Sequence, residues 1–356
     1  MSVLAEPQRT GVRERRRVGL WLLAICLLLS AMVMLGGLTR LTQSGLSITE
    51  WRPVTGVVPP LDAKHWQAEF EKYQKIPEYQ LINKGMTLED FKRIYWWEWA
   101  HRLLGRLIGM AFLVPFVAFI LTRTIAPRDI PRFAGLFVLG GLQGALGWFM
   151  VKSGLSVRTD VSQYRLAAHL VLAFIIYGAI FWTALGQLRT RAASPGVTAL
   201  HRRNAAILVS LILLQIGIGG FVAGLDAGFS YNTWPLMDGR LVPDGLGALS
   251  PGWRNLFENT VTVQFAHRMT AYCVVAFAVW TFLAIRRMPA LKGTVVRKTA
   301  HYVLAAVTLQ AMLGIATLLA VVPVALGALH QLGALATYSI ALWHLHALAR
   351  PEERPS

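Results

Sequence analysis

Two short segments of the sequence place a polar side chain one helical turn before a histidine. Glu98 and His101 are three residues apart in an apolar stretch, and Gln264 and His267 repeat that spacing far along the chain. Residues three apart lie on one face of a helix, and ionisable side chains inside a membrane are costly and usually functional. The pattern predicts two related sites, of which only the first has an acid for proton transfer.

Four of the nine histidines lie inside apolar segments, at matching places. They are His101, His169, His267 and His330, each roughly two turns from the outer end of its predicted helix. Two facing imidazoles are what a six-coordinate haem iron needs, because the porphyrin fills the other four positions. We therefore predict one haem site from His101 with His169 and a second from His267 with His330. A packing role for these histidines is the alternative, and a zinc or di-iron centre would need more carboxylates.

Three arginines accompany these histidines. Arg102 and Arg268 directly follow two of them, and Arg165 precedes His169 by one turn. Guanidinium groups near the outer surface suit haem propionates, with which they form charge-assisted hydrogen bonds. Snorkelling of these side chains to the interface is the alternative, and it explains Arg106 equally well.

Glu98 is the residue that separates the two halves. A carboxylate beside a porphyrin edge can act as a general base or hold a water molecule, whereas Gln264 cannot take up a proton. The first site is therefore predicted to be reactive and the second to carry electrons. The alternative for Glu98 is a structural acid paired with Arg102.

Eight apolar segments are long enough to position these groups across a bilayer. The chain has 356 residues, of which 55% are hydrophobic and 15% charged, a composition typical of membrane proteins. The predicted spans are about 18–38, 94–122, 133–152, 164–188, 204–224, 259–285, 299–321 and 324–347. The fold class predicted is an all-α integral membrane protein.

The distribution of charge predicts the orientation of the spans. Loops on the side of the N-terminus carry 19 Arg and Lys against five acids, while the opposite loops carry 12 of each. By the positive-inside rule both termini are cytoplasmic. The formal charge of +17 thus reflects membrane topology, and nothing else in the sequence indicates a nucleic-acid partner.

The sequence also contains an internal duplication. Gly36-Gly37 and Trp51 recur at one constant offset as Gly219-Gly220 and Trp234, and the segment 142–147 recurs as 309–314. Four spans repeated in one orientation predict two four-helix bundles related by a pseudo-twofold axis along the membrane normal. The predicted units are a tail (1–17), a first bundle (18–188) with a long outer loop (39–93), a connection (189–203), a second bundle (204–347) and a tail (348–356).

Several further expectations concern the remaining polar and sulfur-containing residues. In the outer loop, Asp62 is a predicted N-cap for a short amphipathic helix that ends at Ile76-Pro77 and covers the first bundle. A loop with no covering role is the alternative. The cysteines, Cys26 and Cys273, are expected to be small buried packing residues. The five histidines outside the predicted sites are expected to be polar tips near the surfaces, namely His65, His201, His301, His344 and His346.

A set of motifs distributed along the chain resembles the haem A synthase family, in particular its branch shared by proteobacteria and mitochondria. The motifs are Gly36-Gly37-Leu38-Thr39-Arg40-Leu41-Thr42, Ser44-Gly45-Leu46-Ser47, Glu50-Trp51-Arg52-Pro53-Val54-Thr55-Gly56, Tyr95-Trp96-Trp97-Glu98-Trp99-Ala100-His101-Arg102 and Asn232-Thr233-Trp234-Pro235-Leu236-Met237. The other branch carries cysteine pairs in the first and third outer loops. This chain has none there, so a thiol-based step is not inferred.

The resemblance implies oxidation of the C8 methyl of haem O to the formyl group of haem A, by successive hydroxylations with oxygen from water. It implies that His267 and His330 ligate a haem b cofactor, that His101 and His169 serve the substrate haem, and that Glu98 is needed for turnover. It also implies a multi-pass protein of the bacterial inner membrane that forms homo-oligomers and works beside haem O synthase. A membrane electron acceptor such as a quinone fits this chemistry.

Two rival functions explain part of the same pattern. A dihaem b-type electron-transfer protein accounts for the histidines and the duplication, but not for a carboxylate in one half alone. A transporter built from parallel repeats is weaker, because the spans lack helix-breaking prolines near the midplane. The pigments bound by the purified protein distinguish the three functions.

Overall fold

The computed structural model describes residues 11–53, 55–156, 158–188 and 196–349. Within these ranges all regular secondary structure is helical, and the one β-type pairing is an isolated bridge between Met237 and Arg240. The helices are α1 (Val12–Leu41), α2 (Ala63–Tyr73), α3 (Pro77–Leu81), α4 (Leu88–Leu121), α5 (Ile130–Lys152), α6 (Gln163–Leu188), α7 (Ala199–Gly224), α8 (Asn255–Glu258), α9 (Thr260–Arg286), α10 (Val295–Leu319) and α11 (Val324–Leu348).

Eight of these helices are long and apolar enough to cross a membrane, which confirms the predicted all-α fold with eight spans. They are α1, α4, α5, α6, α7, α9, α10 and α11. The predicted tails and the connection between the bundles lie partly outside the described residues, at positions 1–10, 189–195 and 350–356.

Helix α4 begins about two turns earlier than the apolar pattern predicts. Thr87 caps it by accepting a hydrogen bond from the Asp90 backbone N–H at 3.2 Å, and Glu89 and Asp90 suit the positive end of the helix dipole. His101 therefore lies 13 residues into its helix, about 20 Å along the axis, and not two turns as predicted. The other three site histidines lie six or seven residues from the start of their helices, as predicted.

The long helices pack in two neighbouring sets. Helix α1 contacts α4 and α6, and α5 contacts α4 and α6; likewise α7 contacts α9 and α11, and α10 contacts α9 and α11. The sets meet where α6 packs on α7 and α11, and where α1 packs on α11. At the outer end of this seam Arg40 forms ion pairs with Asp160 at 2.9 Å and with Asp226 at 3.0 Å, so one guanidinium links two outer loops.

The outer loop carries the predicted short helix and packs on the first set of helices. Asp62 caps α2 by accepting from the His65 backbone N–H at 2.8 Å, as predicted. Phe70 and Tyr73 on its inner face are buried, with ring centroids 5.1 and 5.3 Å from that of Phe91 on α4. Helix α2 ends at Tyr73, three residues before the predicted end at Ile76-Pro77, and Pro77 starts α3, because proline is well accommodated in a first helical turn.

Three expectations about minor residues were wrong. Cys26 is buried as expected, but Cys273 is exposed on the outside of α9. His344 and His346 are only 4% and 2% exposed. His344 lies 2.8 Å from the Thr299 hydroxyl and His346 packs against the Trp182 ring, so both have partners inside the helix packing and neither is a surface tip.

Candidate functional site

The four predicted histidines lie on α4, α6, α9 and α11, one per helix, and each ring is partly buried. Each of these rings lies against a glycine of a neighbouring long helix. The pairs are His101 with Gly36, His169 with Gly147, His267 with Gly219 and His330 with Gly314. The four glycines occupy duplicated positions, because Gly219 repeats Gly36 and Gly314 repeats Gly147.

These glycines leave room that a side chain would fill. A β-carbon added at Gly314 would lie 2.8 Å from Cε1 of His330, and one at Gly147 would lie 2.9 Å from Cε1 of His169. Both distances are shorter than van der Waals contact, so the rings require glycine at these positions. The duplicated glycines in the sequence therefore mark where the imidazoles approach a helix backbone.

The pairing of His101 with His169 and of His267 with His330 stays a prediction. The first two histidines lie on α4 and α6 of one set of helices, and the other two lie on α9 and α11 of the second set. Among the described residues, no three His, Cys, Asp or Glu side chains converge as a protein-held metal ion would require. Two imidazoles per site fit an iron whose remaining ligands come from a porphyrin.

Three glutamines contact these histidines and were not identified from the sequence. Gln143, Gln215 and Gln310 each donate from Nε2 to the backbone carbonyl of His169, His267 or His330, at 3.0, 3.0 and 2.8 Å. The carboxamide oxygens of all three are buried without a hydrogen-bond partner among the described residues, and so is Nδ1 of His169. Buried polar atoms without partners beside the imidazoles are expected at a site that binds a further group.

The sequence contained a signal for two of these glutamines. Gln143 and Gln310 occupy the same place in the duplicated segments 142–147 and 309–314. A polar residue kept at both copies of an apolar repeat indicates a shared contact, whereas Gln215 has no glutamine at the corresponding position, Met32.

Glu98 is buried, 2% exposed, and both of its carboxylate oxygens are hydrogen-bonded. Oε2 accepts from the Ser47 hydroxyl and from the Ile48 backbone N–H, each at 2.7 Å. Oε1 accepts from Nε and Nη2 of Arg102 at 3.0 and 2.6 Å. The geometry thus contains the ion pair of the structural alternative, and it ties α4 to the outer loop.

Arg102 completes this attachment, which we call the first clamp (Glu98, Arg102 and loop residues 47–50). Its guanidinium donates to the backbone carbonyls of Ile48 at 2.7 Å and Glu50 at 2.9 Å. Arginine can donate five hydrogen bonds in a fixed plane, so one side chain can bind a carboxylate and two carbonyls together. At Arg102, binding to the loop therefore competes with the predicted contact to a haem propionate.

The second half contains a corresponding attachment, the second clamp (Gln264, Arg268 and loop residues 227–236). Arg268 donates to the carbonyls of Tyr231 at 2.8 Å and Thr233 at 2.9 Å, the residues that repeat Ile48 and Glu50 in the duplication. Gln264 Nε2 donates to the Ala227 carbonyl at 2.7 Å, and its Oε1 accepts from Arg268 at 3.2 Å. The acid of the first clamp accepts from its loop, whereas the amide of the second clamp donates to its loop.

The remaining two arginines also have protein partners. Arg165 donates to the Phe149 carbonyl at 2.5 Å, and its guanidinium carbon lies 3.5 Å from the centre of the Phe149 ring, a cation–π contact. Arg106 donates to the carbonyls of Arg52 and Pro53, both at 2.8 Å, while its Nη1 is buried without a partner among the described residues. Arg102 and Arg106 line a cavity of about 300 Å³ beneath the outer loop.

A second buried acid lies in the outer loop near the first clamp. Glu78 on α3 is 6% exposed and accepts from the Tyr73 hydroxyl at 3.1 Å, and Asn83 donates to that hydroxyl at 2.7 Å. Burial raises the pKa of Glu78 to about 7. The hydrogen bond from Tyr73 lowers this pKa in part, and the charge on Asp160 raises it. Nothing in the sequence distinguished Glu78 from the other acids of this loop.

Known proteins with similar sequences cover almost the whole chain. The family of cytochrome oxidase assembly proteins designated COX15-CtaA matches residues 19–342. A Heme A synthase of Parvibaculum lavamentivorans is 55% identical over 330 residues, 93% of this chain and 94% of its own length. A Heme A synthase of Azorhizobium caulinodans is 55% identical over 336 residues, 94% and 95% of the two chains. A third, of Rhodospirillum centenum, is 50% identical over 355 residues, 100% and 94% of the two chains.

Proposed function

The chain belongs to the COX15-CtaA family of cytochrome oxidase assembly proteins, and from this premise we propose that it is a haem A synthase with haem O as its substrate. It is an enzyme of haem A biosynthesis and a multi-pass membrane protein with eight spanning helices. The observation that carries the proposal is the placement of four imidazoles, each against a glycine, two on each set of helices, with an acid one turn before only one of them.

The reaction proposed is an oxidation of the C8 methyl of haem O to a formyl group. With water as the oxygen donor, methyl and water give aldehyde, four protons and four electrons. The protein must therefore accept protons near the reacting carbon and pass electrons to an acceptor in the membrane, for which a quinone is the proposed class. On this basis the enzyme is an oxidoreductase acting on a CH group.

Two haem sites are proposed within this reaction. His101 and His169 would hold the substrate haem, and His267 and His330 would hold haem b through its iron. Haem b, when bound, supplies a one-electron carrier. The fit rests on the donor set of two imidazoles per site, on the glycines that leave space at the rings and on the unpaired amide oxygens beside them.

Glu98 is the proposed proton acceptor of the first site. It precedes His101 by one turn, so it lies on the same side of α4 as His101. Its bonds to Ser47, Ile48 and Arg102 fix the carboxylate in one place. Gln264, at the corresponding place, keeps the second site free of an acid.

Arg102, Arg268 and Arg165 remain candidates for contacts with haem propionates. Arg102 and Arg268 already donate to loop carbonyls, so each would bind a propionate beside those bonds or in exchange for one of them. Among the described residues Arg165 has one hydrogen bond, to Phe149, and it has the most donors left for such a contact.

The proposed architecture is two four-helix bundles related by a pseudo-twofold axis, residues 18–188 and 204–347. The two neighbouring sets of helices and the equivalent arginine contacts in the two clamps support it. Both termini are proposed to be cytoplasmic, in the bacterial inner membrane, from the positive charge of the loops on that side. Haem O synthase as a neighbour and a homo-oligomeric state complete the proposal.

The test is pigment analysis of the purified full-length protein, expressed with and without haem O synthase. We expect haem B in both preparations, with haem O or haem A added only when haem O synthase is present. Haem B alone in both preparations would support the dihaem electron-transfer protein, and no pigment in either would overturn both functions. His267→Ala and His330→Ala should each remove the b-type absorbance, and unchanged spectra would place that haem elsewhere.

A further inference from the structure

The surroundings of the four histidines differ in one respect. Three of them have a glutamine side chain from the neighbouring helix against both the ring and the backbone carbonyl. Gln143 Nε2 lies 3.3 Å from Nε2 of His169, and Gln310 Nε2 lies 3.1 Å from Nδ1 of His330. In the third pair, Gln215 Nε2 lies 3.2 Å from both ring nitrogens of His267.

No such amide contacts the ring of His101 among the described residues. The residue that corresponds to Gln215 in the first half of the duplication is Met32 on α1. Its terminal methyl lies 3.4 Å from the place of a β-carbon on Gly105, one turn beyond His101 on the same face of α4. A thioether is at most a weak acceptor, so it cannot replace an amide as a partner for the ring.

An amide beside an iron-ligating imidazole has a defined physical effect. A ligating histidine keeps one ring N–H, and a hydrogen-bond acceptor for that N–H fixes the tautomer and the ring plane. In the structure each amide presents Nε2 to the ring and leaves its oxygen buried without a partner among the described residues, so the oxygen becomes such an acceptor when the ring of a haem-ligating histidine turns its N–H toward it. Each amide is anchored on the histidine's own backbone, so it moves together with the helix that carries the ligand.

We propose that Gln143, Gln215 and Gln310 are positioning residues that fix three of the four axial histidines, and that His101, which has no such amide, is the ligand that lets the substrate haem exchange. This inference rests on the proposed function, in which the second site keeps its haem and the first must release product. A cofactor held by two fixed imidazoles is retained, whereas a substrate held by one fixed and one unfixed imidazole can leave.

Two kinds of variant test this inference in the purified full-length protein. Gln215→Leu and Gln310→Leu remove the amide at nearly constant volume, and we expect each to raise the rate of haem B loss to excess apomyoglobin by about 10- to 100-fold. The low-spin ferric EPR signal depends on the relative orientation of the two imidazole planes, so it should shift in both variants. A side chain that only fills space would leave this signal unchanged.

The converse variant introduces the missing amide. Met32→Gln should slow the release of haem O and haem A from the first site about tenfold, while haem B retention stays as in the wild type. Met34→Gln is the matched control, because Met34 is exposed on another face of the same helix and should change neither rate. Equal release from Met32→Gln and the wild type would overturn the role given to His101.

The outcomes separate this inference from the function on which it rests. If His267→Ala removes the b-type absorbance but both glutamine variants keep the wild-type EPR signal and haem loss within twofold, the positioning role is wrong and the haem site stands. If His267→Ala leaves the absorbance intact, the proposed haem site itself is wrong.

Discussion

In both clamps the arginine donates to equivalent loop carbonyls. The residue one turn before the arginine accepts hydrogen bonds from the loop in the first clamp and donates one to the loop in the second. Arg102 and Arg268 bind loop carbonyls at equivalent positions of the duplication, at 2.7 and 2.9 Å in the first clamp and at 2.8 and 2.9 Å in the second. Glu98 accepts from a hydroxyl and a backbone N–H of its loop, whereas Gln264 donates to a carbonyl of its loop. The acid is therefore supported by a loop conformation that the other half lacks.

This comparison shows that the difference between the halves is more than one side chain. An acid needs N–H and O–H donors around it to be ionised inside a membrane protein, and the first loop supplies them at Ser47 and Ile48. In the second loop the groups that face the helix are carbonyl oxygens, which an acid cannot use. The loop must therefore supply hydrogen-bond donors to the acid before proton transfer can be confined to one half.

The largest expected effect comes from Glu98→Gln. Loss of the proton acceptor should reduce haem A formation by about 10²- to 10⁴-fold, the usual range for general acid–base catalysis, while haem B stays bound. The measurement is the haem A content of membranes that also contain haem O synthase.

Ser47→Ala is the control for this prediction, because it removes one donor to Glu98 and leaves the acid in place. Its haem A content should stay within a few-fold of the wild type. Normal haem A in Glu98→Gln, or equal losses in the two variants, would mean that the carboxylate serves only to attach the loop.

The second effect in size distinguishes the two arginines. Arg102→Gln leaves the buried carboxylate of Glu98 without its counter-ion, and breaking such a pair costs about 3–5 kcal/mol. Arg268→Gln leaves only neutral partners behind, so its cost should be about 1–3 kcal/mol. Thermal denaturation of the purified variants in detergent compares them, and equal destabilisation would mean that the ion pair adds nothing to the first clamp.

A third effect concerns Glu78, which belongs to the long outer loop of the first half. Its pKa is about 7 in the folded loop and near the ordinary 4.5 when the loop unfolds, so the folded state binds more protons between these values. The contribution of Glu78 to the stability of the loop is thus fully present below pH 4.5 and is lost as the pH rises to about 7. The full loss is about 3 kcal/mol, since each pKa unit corresponds to about 1.4 kcal/mol.

Proteolysis of the outer loop at pH 5.5 and pH 8 measures this dependence. We expect faster cleavage at pH 8 in the wild type and a much smaller change with pH in Glu78→Gln. Glu89→Gln is the control, because the side chain of Glu89 is 73% exposed on the same side of the protein. A wild-type pH dependence in Glu78→Gln would assign the effect to another group.

Much of the fold was predictable because it leaves a periodic signal. Apolar runs of bilayer length predicted eight spans, and the constant offset between the halves predicted that Gly36 and Gly219 are equivalent. The start of α4 was not predictable from hydropathy, because its first two turns are polar and are stabilised by the Thr87 cap and by α2. The exposure of Cys273 was missed for a related reason, since lipid-facing and buried positions of a membrane helix are equally apolar.

The partners of the site residues were less predictable than the residues themselves. The carbonyls that bind Arg102 and Arg268 belong to the backbone, which carries no sequence signal. The hydrogen bonds of Glu98 depend on a loop far earlier in the chain, and only the folded chain brings Ile48 and the acid together. Composition and spacing identified the acid but not which of its two proposed roles its surroundings favour.

The smallest effect we predict is that of the reverse exchange, Gln264→Glu. From the sequence alone this change is expected to leave activity nearly intact, because the second site needs no base. In the structure a carboxylate at this position would face the carbonyl oxygens of Ala227 and Tyr231, which now accept from the amide at 2.7 and 3.3 Å. Loss of these bonds and repulsion between oxygens, offset in part by Arg268, should cost about 2 kcal/mol.

Haem B content and the denaturation midpoint of Gln264→Glu measure this cost, with Gln264→Leu as the control that removes the amide without adding charge. We expect Gln264→Glu to be less stable than Gln264→Leu at pH 8, and the difference to shrink at pH 5, where the new carboxyl can be protonated and donate to the Ala227 carbonyl. If Gln264→Glu is as stable as the wild type at pH 8, the second loop can adapt to an acid. The hydrogen-bonding groups of the loop would then not be the reason that the acid occurs only in the first half.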